Sequence, residues 1–191
     1  MAKGPERRKR IVESAVEVIL EVGLRAATTR AVTEKAGVGT GLLNHYFRWP
    51  ELRALAWAQI FAAVAEDQFD SEDDPAAALE HYFSTAFVPQ ARRFWHLWLE
   101  ASELAASDDD MKAAFRAVSE REWGILEAVL AAGVVRECWS LPDPQATALR
   151  LGALYDGLAG RLLSPADNLD ADLAEAHLRH AFALECSASG A

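Results

Sequence analysis

The sequence predicts an all-α fold, with an N-terminal three-helix domain over residues 1–48 and a six-helix domain over residues 49–191. The chain is rich in Ala, Leu and Glu, which favour helix. Apolar residues recur at three- and four-residue spacing through most of its length, and no segment alternates apolar and polar residues as a half-buried strand does. At 191 residues the chain is long enough to bury a core in one compact unit or in a small domain plus a larger one.

The first helix is expected over residues 6–22, because apolar residues form a stripe at helical spacing and Gly23 follows. Four basic residues lie at its start, where the helix dipole favours acids. We interpret this unfavourable placement as a set of phosphate contacts; the alternative is a solvated N-terminus. The four residues are Arg7, Arg8, Lys9 and Arg10.

Residues 28–47 are typical of two short helices joined by a tight turn, a helix-turn-helix. Thr28 and Thr29 suit a helix N-cap, and Val32 and Ala36 lie four residues apart on one face. Gly37 suits the residue after the helix, where positive φ is common, and Val38 is expected to be buried in the turn.

The second short helix begins at Gly39 or Thr40 and combines an apolar side with small or polar residues. Its apolar residues are Leu42, Leu43, Tyr46 and Phe47, and its small or polar residues are Thr40, Gly41, Asn44 and His45. Small polar residues at the front of a helix suit the major groove of DNA, where base edges must be approached closely.

Residues 7–55 resemble the DNA-binding domain of TetR-family transcriptional regulators, and the Thr-Gly-Leu-Leu-Asn-His-Tyr-Phe segment is most similar to the BetI-like branch. The resemblance implies that Thr40, Gly41 and Asn44 face bases, and that Thr29, His45 and Tyr46 contact phosphates. The full expected DNA-binding set is Arg7, Arg8, Lys9, Arg10, Thr28, Thr29, Thr40, Gly41, Asn44, His45, Tyr46 and Arg48.

Three positions depart from the family pattern. Gly39 replaces the usual Ser or Thr, so the second short helix is expected to lack a side-chain cap, and Thr33 replaces the usual Ala. The family's Lys after Phe is absent, and Phe47 is followed by Arg-Trp-Pro in an apparently shorter turn. Arg48 or Arg53 is therefore the expected source of that phosphate contact.

Local signals place the remaining helices in order. A linking helix is expected from Pro50 to Gln68, followed by an acidic loop at residues 69–74. Asp74 and Pro75 begin a helix that ends near residue 88, and another helix covers residues 90–105.

Residues 107–110 carry a Ser-x-x-Asp capping signal before a long helix to about residue 132. After a connection at residues 138–142, Asp143 and Pro144 begin a helix that ends at residue 163, closed by Ser164 and Pro165. Asn168 or Asp170 is expected to cap a final helix to residue 185, and residues 187–191 are expected to fray.

Aromatic residues on three successive helices of the larger domain predict a small-molecule site. The expected set is Phe83, Phe87, Phe94, Trp95, Trp98, Glu100, Phe115 and Trp123. The alternative is ordinary core packing. The TetR resemblance implies an inducer site on these helices, and its BetI-like branch implies choline-related chemistry. Aromatic walls with an acidic group would suit a cation through cation–π contact.

The last two helices are apolar around much of their circumference, which predicts a homodimer surface. The expected residues are Leu151, Leu154, Tyr155, Leu158, Leu162, Leu178 and Phe182. A two-fold dimer presents paired recognition helices to half-sites about one DNA turn apart. We therefore expect double-stranded DNA with an inverted repeat as the operator.

The charge distribution agrees with this division: residues 1–53 carry a formal charge of +4 and residues 54–191 carry −14. A basic domain can bind phosphates while an acidic one is repelled by DNA; the alternative is that acidic surface only confers solubility. Cys138 and Cys186 are far apart, so neither a disulfide framework nor a zinc site is expected. No targeting or membrane segment is visible, and the cytoplasm is the expected compartment.

Enzyme motifs are absent from the sequence: it contains no His-Glu-x-x-His, Gly-x-Ser-x-Gly or phosphate-loop pattern. His177 and His180 share a helix face, which we interpret as solvated surface rather than a metal site. The sequence predicts a regulator that needs no cofactor, a repressor released from its operator by a small-molecule effector. The alternatives are a helical adaptor that has lost DNA binding and a small all-α enzyme.

Overall fold

The computed structural model describes residues 3–69, 74–164 and 168–187, and in these residues it contains nine α-helices, one 3-10 turn and no strand. The helices are α1 Lys3–Val22, α2 Thr29–Ala36, α3 Thr40–Tyr46, α4 Trp49–Gln68, α5 Pro75–Ala86, α6 Arg92–Leu104, α7 Asp109–Val135, α8 Pro144–Leu163 and α9 Ala171–Ser187. The 3-10 turn, Pro89–Ala91, leads into α6. The all-α prediction is confirmed.

Most helix ends follow the local signals. Thr28 caps α2 by accepting a hydrogen bond from the Ala31 N–H, and Gly37 takes φ +63° at its end. Gly23, with φ +89°, ends α1 as expected. Three later N-caps, Asp74, Asp143 and Asp170, each accept a hydrogen bond from a backbone N–H in the first turn of the helix that follows.

Several predicted details were wrong. Asp108, not Ser107, caps α7, because its side chain accepts from the Met111 N–H at 3.0 Å while Ser107 belongs to the preceding turn. Pro50 is the second residue of α4 rather than the first. Val38 is only half-buried.

Other differences lie at helix ends, where local signals are weakest. The first helix begins at residue 3 rather than 6, and the long helix reaches Val135. The expected acidic loop at residues 70–73, Pro165 and the expected tail at residues 188–191 lie outside the described residues.

The chain divides into two compact units. The first unit comprises Met1–Ala63 and His96–Val118, and the second comprises Val64–Trp95 and Ser119–Ala191. The helices α4, α6 and α7 each contribute residues to both units. The boundary at residue 48 stays a prediction.

The first unit has its own core and its own ionic ties. Its largest fully buried side chains include Ile11, Ile19, Leu24, Leu43, Leu52, Trp57 and Met111. Glu100 of α6 accepts a hydrogen bond of 2.7 Å from the Leu24 N–H, just after α1. Within the first unit, this bond fastens the connection between α1 and α2 to α6.

The second unit is built from α5, α8, α9 and the later part of α7 around a continuous apolar core. Arg179 of α9 binds Glu80 of α5 at 2.6 Å, and Arg150 of α8 pairs with Glu185 of α9. Gly133 leaves room for the ring of Trp139, whose Nε1–H donates to the Leu130 carbonyl at 2.9 Å. The two ion pairs join α9 to α5 and to α8, and the Trp139 hydrogen bond secures the turn that follows α7.

Candidate DNA-binding and effector-binding sites

The short helix α3 is anchored on one side and exposed on the other. Leu43 and the C-cap residue Phe47 are buried. The exposed side presents Thr40, Gly41, Asn44 and His45. Gly39 precedes the helix and makes no side-chain cap, as predicted. Buried anchors on one side leave the other side of α3 available for a partner.

The N-terminal part of α1 packs against the end of α3. The guanidinium of Arg8 lies 4.7 Å from the centre of the Phe47 ring. A side chain at Gly4 would meet the Tyr46 hydroxyl at 3.6 Å. These contacts bring the basic start of α1 to the end of α3, and Arg7, Arg8, Lys9 and Arg10 are all exposed.

The supporting helix α2 is fixed by polar contacts that the sequence only partly indicates. The buried hydroxyl of Thr33 donates to the Arg30 carbonyl at 2.9 Å, so this unusual residue is accommodated. Lys35 lies 3.1 Å from Glu17 of α1 and also pairs with Glu21. The helix-turn-helix therefore rests on α1 through both apolar and ionic contacts.

The two arginines that follow α3 have different surroundings. Arg53 pairs with Asp108 at 2.6 Å, and its side chain is only 14% exposed. Arg48 pairs with Asp110 at 3.0 Å and remains 71% exposed. Of these two arginines, Arg48 is the one at the surface.

Each unit contains an aromatic cluster among its described residues. The first aromatic cluster contains Trp57, Phe61, Trp98 and Phe115, with ring centres 4.7 to 5.8 Å apart in the contacting pairs. Its central indole, Trp57 Nε1–H, donates to the Leu97 carbonyl at 3.2 Å. The Trp57 indole donor is thus satisfied by a backbone carbonyl of the same unit.

The second aromatic cluster contains Tyr82, Phe87, Trp95 and Tyr155. Phe87 stacks on Tyr155 with 5.4 Å between ring centres, and the Trp95 Nε1–H donates to the Tyr155 hydroxyl at 3.1 Å. This cluster therefore carries polar groups among its rings.

Two carboxylates act electrostatically on the second aromatic cluster. Burial and, to a smaller extent, the negative charge of Asp156 raise the pKa of Glu122 to about 8. Partial desolvation raises the pKa of Asp156 to about 6, although this residue is exposed on the surface of α8. Burial raises the pKa of Tyr82 and Tyr155, and the charges of both carboxylates add to these shifts. Such perturbed groups are typical of functional sites.

Two surface recesses lie in the second unit. One, of about 610 Å³, is lined by Ala65, Glu66, Asp67, Phe69 and Ile125. Its Phe69 stacks on Tyr82 of the second aromatic cluster with 5.3 Å between ring centres.

The other recess is an open groove of about 720 Å³ along α8 and α9. It is lined by Leu154, Leu158, Arg161, Asn168, Leu169, Leu173, His177, His180, Ala181 and Leu184. Leu173 and Leu184 are 45% and 57% exposed. The groove thus presents apolar surface to solvent.

Comparison with known families supplies an independent line of evidence. The family described as "Bacterial regulatory proteins, tetR family" matches residues 11–48. The family described as "BetI-type transcriptional repressor, C-terminal" matches residues 75–187, more than half of the chain. The chain belongs to the TetR family of transcriptional regulators.

Individual relatives agree with this membership. The HTH-type transcriptional regulator BetI 1 of Chromohalobacter salexigens is 27% identical over 180 residues, covering 89% of this chain and 85% of that protein. A putative TetR-family regulator from Rhodococcus sp. is similar in structure, with a TM-score of 0.76, 22% identity and coverage of 95% of this chain and 99% of that one.

A regulator from Saccharomonospora viridis, solved in complex with choline, has a TM-score of 0.73 and 18% identity over 92% of this chain and 95% of that one. At these identities the two structural neighbours show the fold alone.

The expected effector residues of this TetR-family chain fall in different units. Phe83, Phe87, Phe94, Trp95 and Trp123 belong to the second unit, whereas Trp98, Glu100 and Phe115 belong to the first. Of the second-unit residues, Phe87 and Trp95 lie in the second aromatic cluster and Trp123 is exposed. In the first unit, Trp98 and Phe115 pack on Trp57, and Glu100 is bonded to the Leu24 N–H.

The expected dimer residues also differ in exposure. Leu151, Leu158 and Leu178 are buried within the chain and hold α8 and α9 together. Leu154, Tyr155, Leu162 and Phe182 are partly buried. Leu154 and Leu158 line the groove between the two helices.

Tyr82, Glu122 and Asp156 were not among the ligand residues expected from the sequence, and Tyr155 was assigned only to the dimer surface. A signal for Asp156 was present, because it is a lone acid in the apolar run Ala153–Leu158 of α8. Glu122 carried no such signal, since it lies in a charged segment of α7.

Across residues 3–69, 74–164 and 168–187, no group of three or more His, Cys, Asp or Glu is arranged to hold a metal ion. Among the helices of this part of the chain, none combines the length and hydropathy needed to cross a membrane.

Proposed function

We propose that this TetR-family chain is a homodimeric repressor that binds an inverted-repeat operator through α3 and has no enzymatic activity. The observation that carries the proposal is the exposed polar side of α3, held by Leu43 and Phe47 and flanked by the basic start of α1. Thr40, Gly41 and Asn44 would contact bases and set sequence preference. Thr28, Thr29, His45, Tyr46, Arg48 and the four basic residues of α1 would contact phosphates.

The test is a fluorescence-anisotropy titration of the full chain onto DNA from upstream of its own gene, with random DNA as competitor. We expect binding that weakens with salt and survives the competitor. Asn44→Ala should weaken operator binding, while Gln145→Ala, which truncates an exposed amide on α8, should leave it unchanged. Equal operator affinity of the two variants would contradict the assignment of α3 as the helix that reads the DNA bases.

The dimer is proposed to form through the groove along α8 and α9. The exposed leucines along this groove give two copies of the chain an apolar surface through which they can pack against each other. Leu173→Glu, at the exposed rim, should convert the dimer to a monomer in light scattering at micromolar concentration. A wild-type protein that is monomeric at that concentration would contradict this part of the proposal.

The effector is proposed to be an organic cation bound at the second aromatic cluster. Aromatic faces attract cations, and the carboxylates of Glu122 and Asp156 supply negative charge. The choline bound by the Saccharomonospora viridis regulator supports this class of ligand. Effector binding would favour a separation of the two α3 helices that does not match the operator, so that the protein releases DNA.

Calorimetry with choline and with its neutral isostere 3,3-dimethyl-1-butanol tests the ligand class. We expect choline to bind and the neutral alcohol to bind much more weakly. Because Glu122 must ionise to attract the cation, affinity should rise as the pH is raised towards the Glu122 pKa of about 8. Equal binding of the two compounds would exclude a cation-selective site.

A further inference from the structure

Two ion pairs join the start of α4 to the start of α7 within the first unit, and they differ in exposure. Arg53 Nη2 lies 2.6 Å from Asp108 Oδ2, with side chains 14% and 11% exposed. Arg48 Nη2 lies 3.0 and 3.2 Å from the two carboxylate oxygens of Asp110, with side chains 71% and 30% exposed. Opening a buried pair leaves a charge unpaired, whereas an exposed pair exchanges readily with solvent and ions.

The Arg53–Asp108 pair is fixed in the structure. Asp108 also caps α7 by accepting from the Met111 N–H at 3.0 Å. Burial opposes ionisation of Asp108, but the Met111 hydrogen bond and the Arg53 pair outweigh it and hold its pKa below the ordinary value. Since this pair already joins α4 to the start of α7, the pair between Arg48 and Asp110 can open without separating the two helices.

Arg48 lies where a DNA phosphate could reach it. Arg48 follows Phe47, the C-cap residue of α3, and the Arg8 guanidinium lies over the Phe47 ring. A DNA backbone that contacts the end of α3 would therefore approach Arg48. A phosphate and a carboxylate compete for the same guanidinium N–H donors, and Arg binds both strongly.

We propose that Asp110 is an internal competitor for the DNA phosphate: in the free protein it holds Arg48, and on DNA binding Arg48 exchanges from Asp110 to a phosphate. This inference rests on the proposed DNA-binding function of α3. Phosphate contacts carry no sequence information. The competition therefore lowers affinity for all DNA alike and limits non-specific binding.

The experiment compares Asp110→Asn with Asp109→Asn in the full chain, on operator and on random DNA at low salt. Asp109 is a matched control, because it is an exposed carboxylate in the same first turn of α7 and its substitution changes the net charge equally. We expect Asp110→Asn to tighten binding to both DNAs by about three- to fivefold, the range of exposed ion pairs. Asp109→Asn should change it by at most about 1.5-fold.

Arg48→Ala separates competition from a general charge effect. It should weaken binding and reduce the slope of log K against log salt by about 0.9, the value for one phosphate contact. In the Arg48→Ala background, Asp110→Asn should give no larger gain than Asp109→Asn. If the Arg48–Asp110 pair only stabilised the fold, Arg48→Ala would not change the salt dependence of DNA binding.

Three results would overturn the inference: equal effects of the two Asn substitutions, weaker binding by Asp110→Asn, or a gain that persists without Arg48. Weaker binding would mean that the pair supports the DNA-binding surface instead. If the wild-type chain binds neither DNA, the proposed function fails as well. If it binds the operator normally and the Asp110→Asn gain is missing, only the competition is wrong.

Discussion

The first and second aromatic clusters both contain Phe and Trp rings, but the second also contains the phenols of Tyr82 and Tyr155, and the polar partners of the two clusters differ. In the first cluster, the Trp57 indole N–H donates to the Leu97 carbonyl, and Trp57, Trp98 and Phe115 contact one another through their rings. In the second, the Trp95 indole N–H donates to the Tyr155 hydroxyl, and the charges of Glu122 and Asp156 act on that phenol. Aromatic density alone therefore does not distinguish the two clusters as candidate ligand sites, whereas the acids that act on the Tyr155 phenol do.

The comparison predicts that the first aromatic cluster carries stability. Trp57 is fully buried, so Trp57→Ala should cost about 3–5 kcal/mol in the free energy of unfolding. Urea unfolding followed by circular dichroism measures this cost. Trp123→Ala, at an exposed indole of the second unit, should cost less than about 1 kcal/mol. Similar losses in the free energy of unfolding for the two variants would contradict a special contribution of the first aromatic cluster to stability.

The packing beside the second aromatic cluster has a steric limit at Gly133. A Cβ at this position would lie 1.9 Å from Cζ2 of Trp139, whose ring packs edge-on against Phe182 at 5.4 Å. Gly133→Ala should therefore cost about 1–3 kcal/mol in a urea titration. Gly124→Ala is the control on the same helix, since an added Cβ meets nothing within 4 Å there. Its helix propensity should make that variant as stable as the wild type or more so; a loss matching that of Gly133→Ala would contradict the steric explanation.

Glu122 should make folding stability depend on pH. Between an ordinary pKa of 4.5 and its folded value of about 8, the folded chain holds a proton that the unfolded chain has released. Stability therefore falls as the pH rises through this range. Glu122→Gln cannot ionise, and we expect it to be about 1–2 kcal/mol more stable than wild type at pH 8.5 and similar at pH 4.5.

Thermal unfolding at several pH values checks this prediction. Glu120→Gln, on an exposed position of the same helix, is the control and should follow the wild-type profile. Parallel profiles for Glu122→Gln and wild type would mean that Glu122 is not desolvated. The second aromatic cluster would then lack the desolvated acid that distinguishes it from the first.

The smallest expected effect concerns the hydrogen bond inside the second aromatic cluster. Tyr155→Phe removes the acceptor of the Trp95 Nε1–H and should cost about 1 kcal/mol, because the donor loses its partner. Adding Trp95→Phe removes that donor, so the double variant should lose less than the sum of the single variants. Strictly additive losses would show that the bond contributes nothing to stability.

The fold was predictable because its signals are local. Thr28, Asp74, Asp143 and Asp170 each cap the helix that follows, and Gly37 takes the positive φ that ends α2. Ser107 was chosen wrongly because three aspartates follow it, and spacing alone does not distinguish between adjacent caps. Local chemistry therefore located the helices more reliably than their terminal residues.

The candidate effector site was less predictable, because it depends on which helices pack together. Trp95 and Trp98 are one helical turn apart, and the sequence analysis placed them in one site. In the structure Trp95 contacts Tyr155, whereas Trp98 contacts Trp57. Glu122 and Asp156 are 34 positions apart along the chain, and only the packing of α7 and α8 in the second unit reveals their mutual influence.

The most direct measurement is the anisotropy of an operator complex titrated with choline or with 3,3-dimethyl-1-butanol, using wild type and Glu122→Gln. We expect choline to release wild-type protein from DNA and the neutral alcohol to leave the complex intact. Choline should release Glu122→Gln only at about tenfold higher concentration, a change of about 1.4 kcal/mol. Equal release by both compounds, or an unchanged response of Glu122→Gln, would contradict a cation site at the second aromatic cluster.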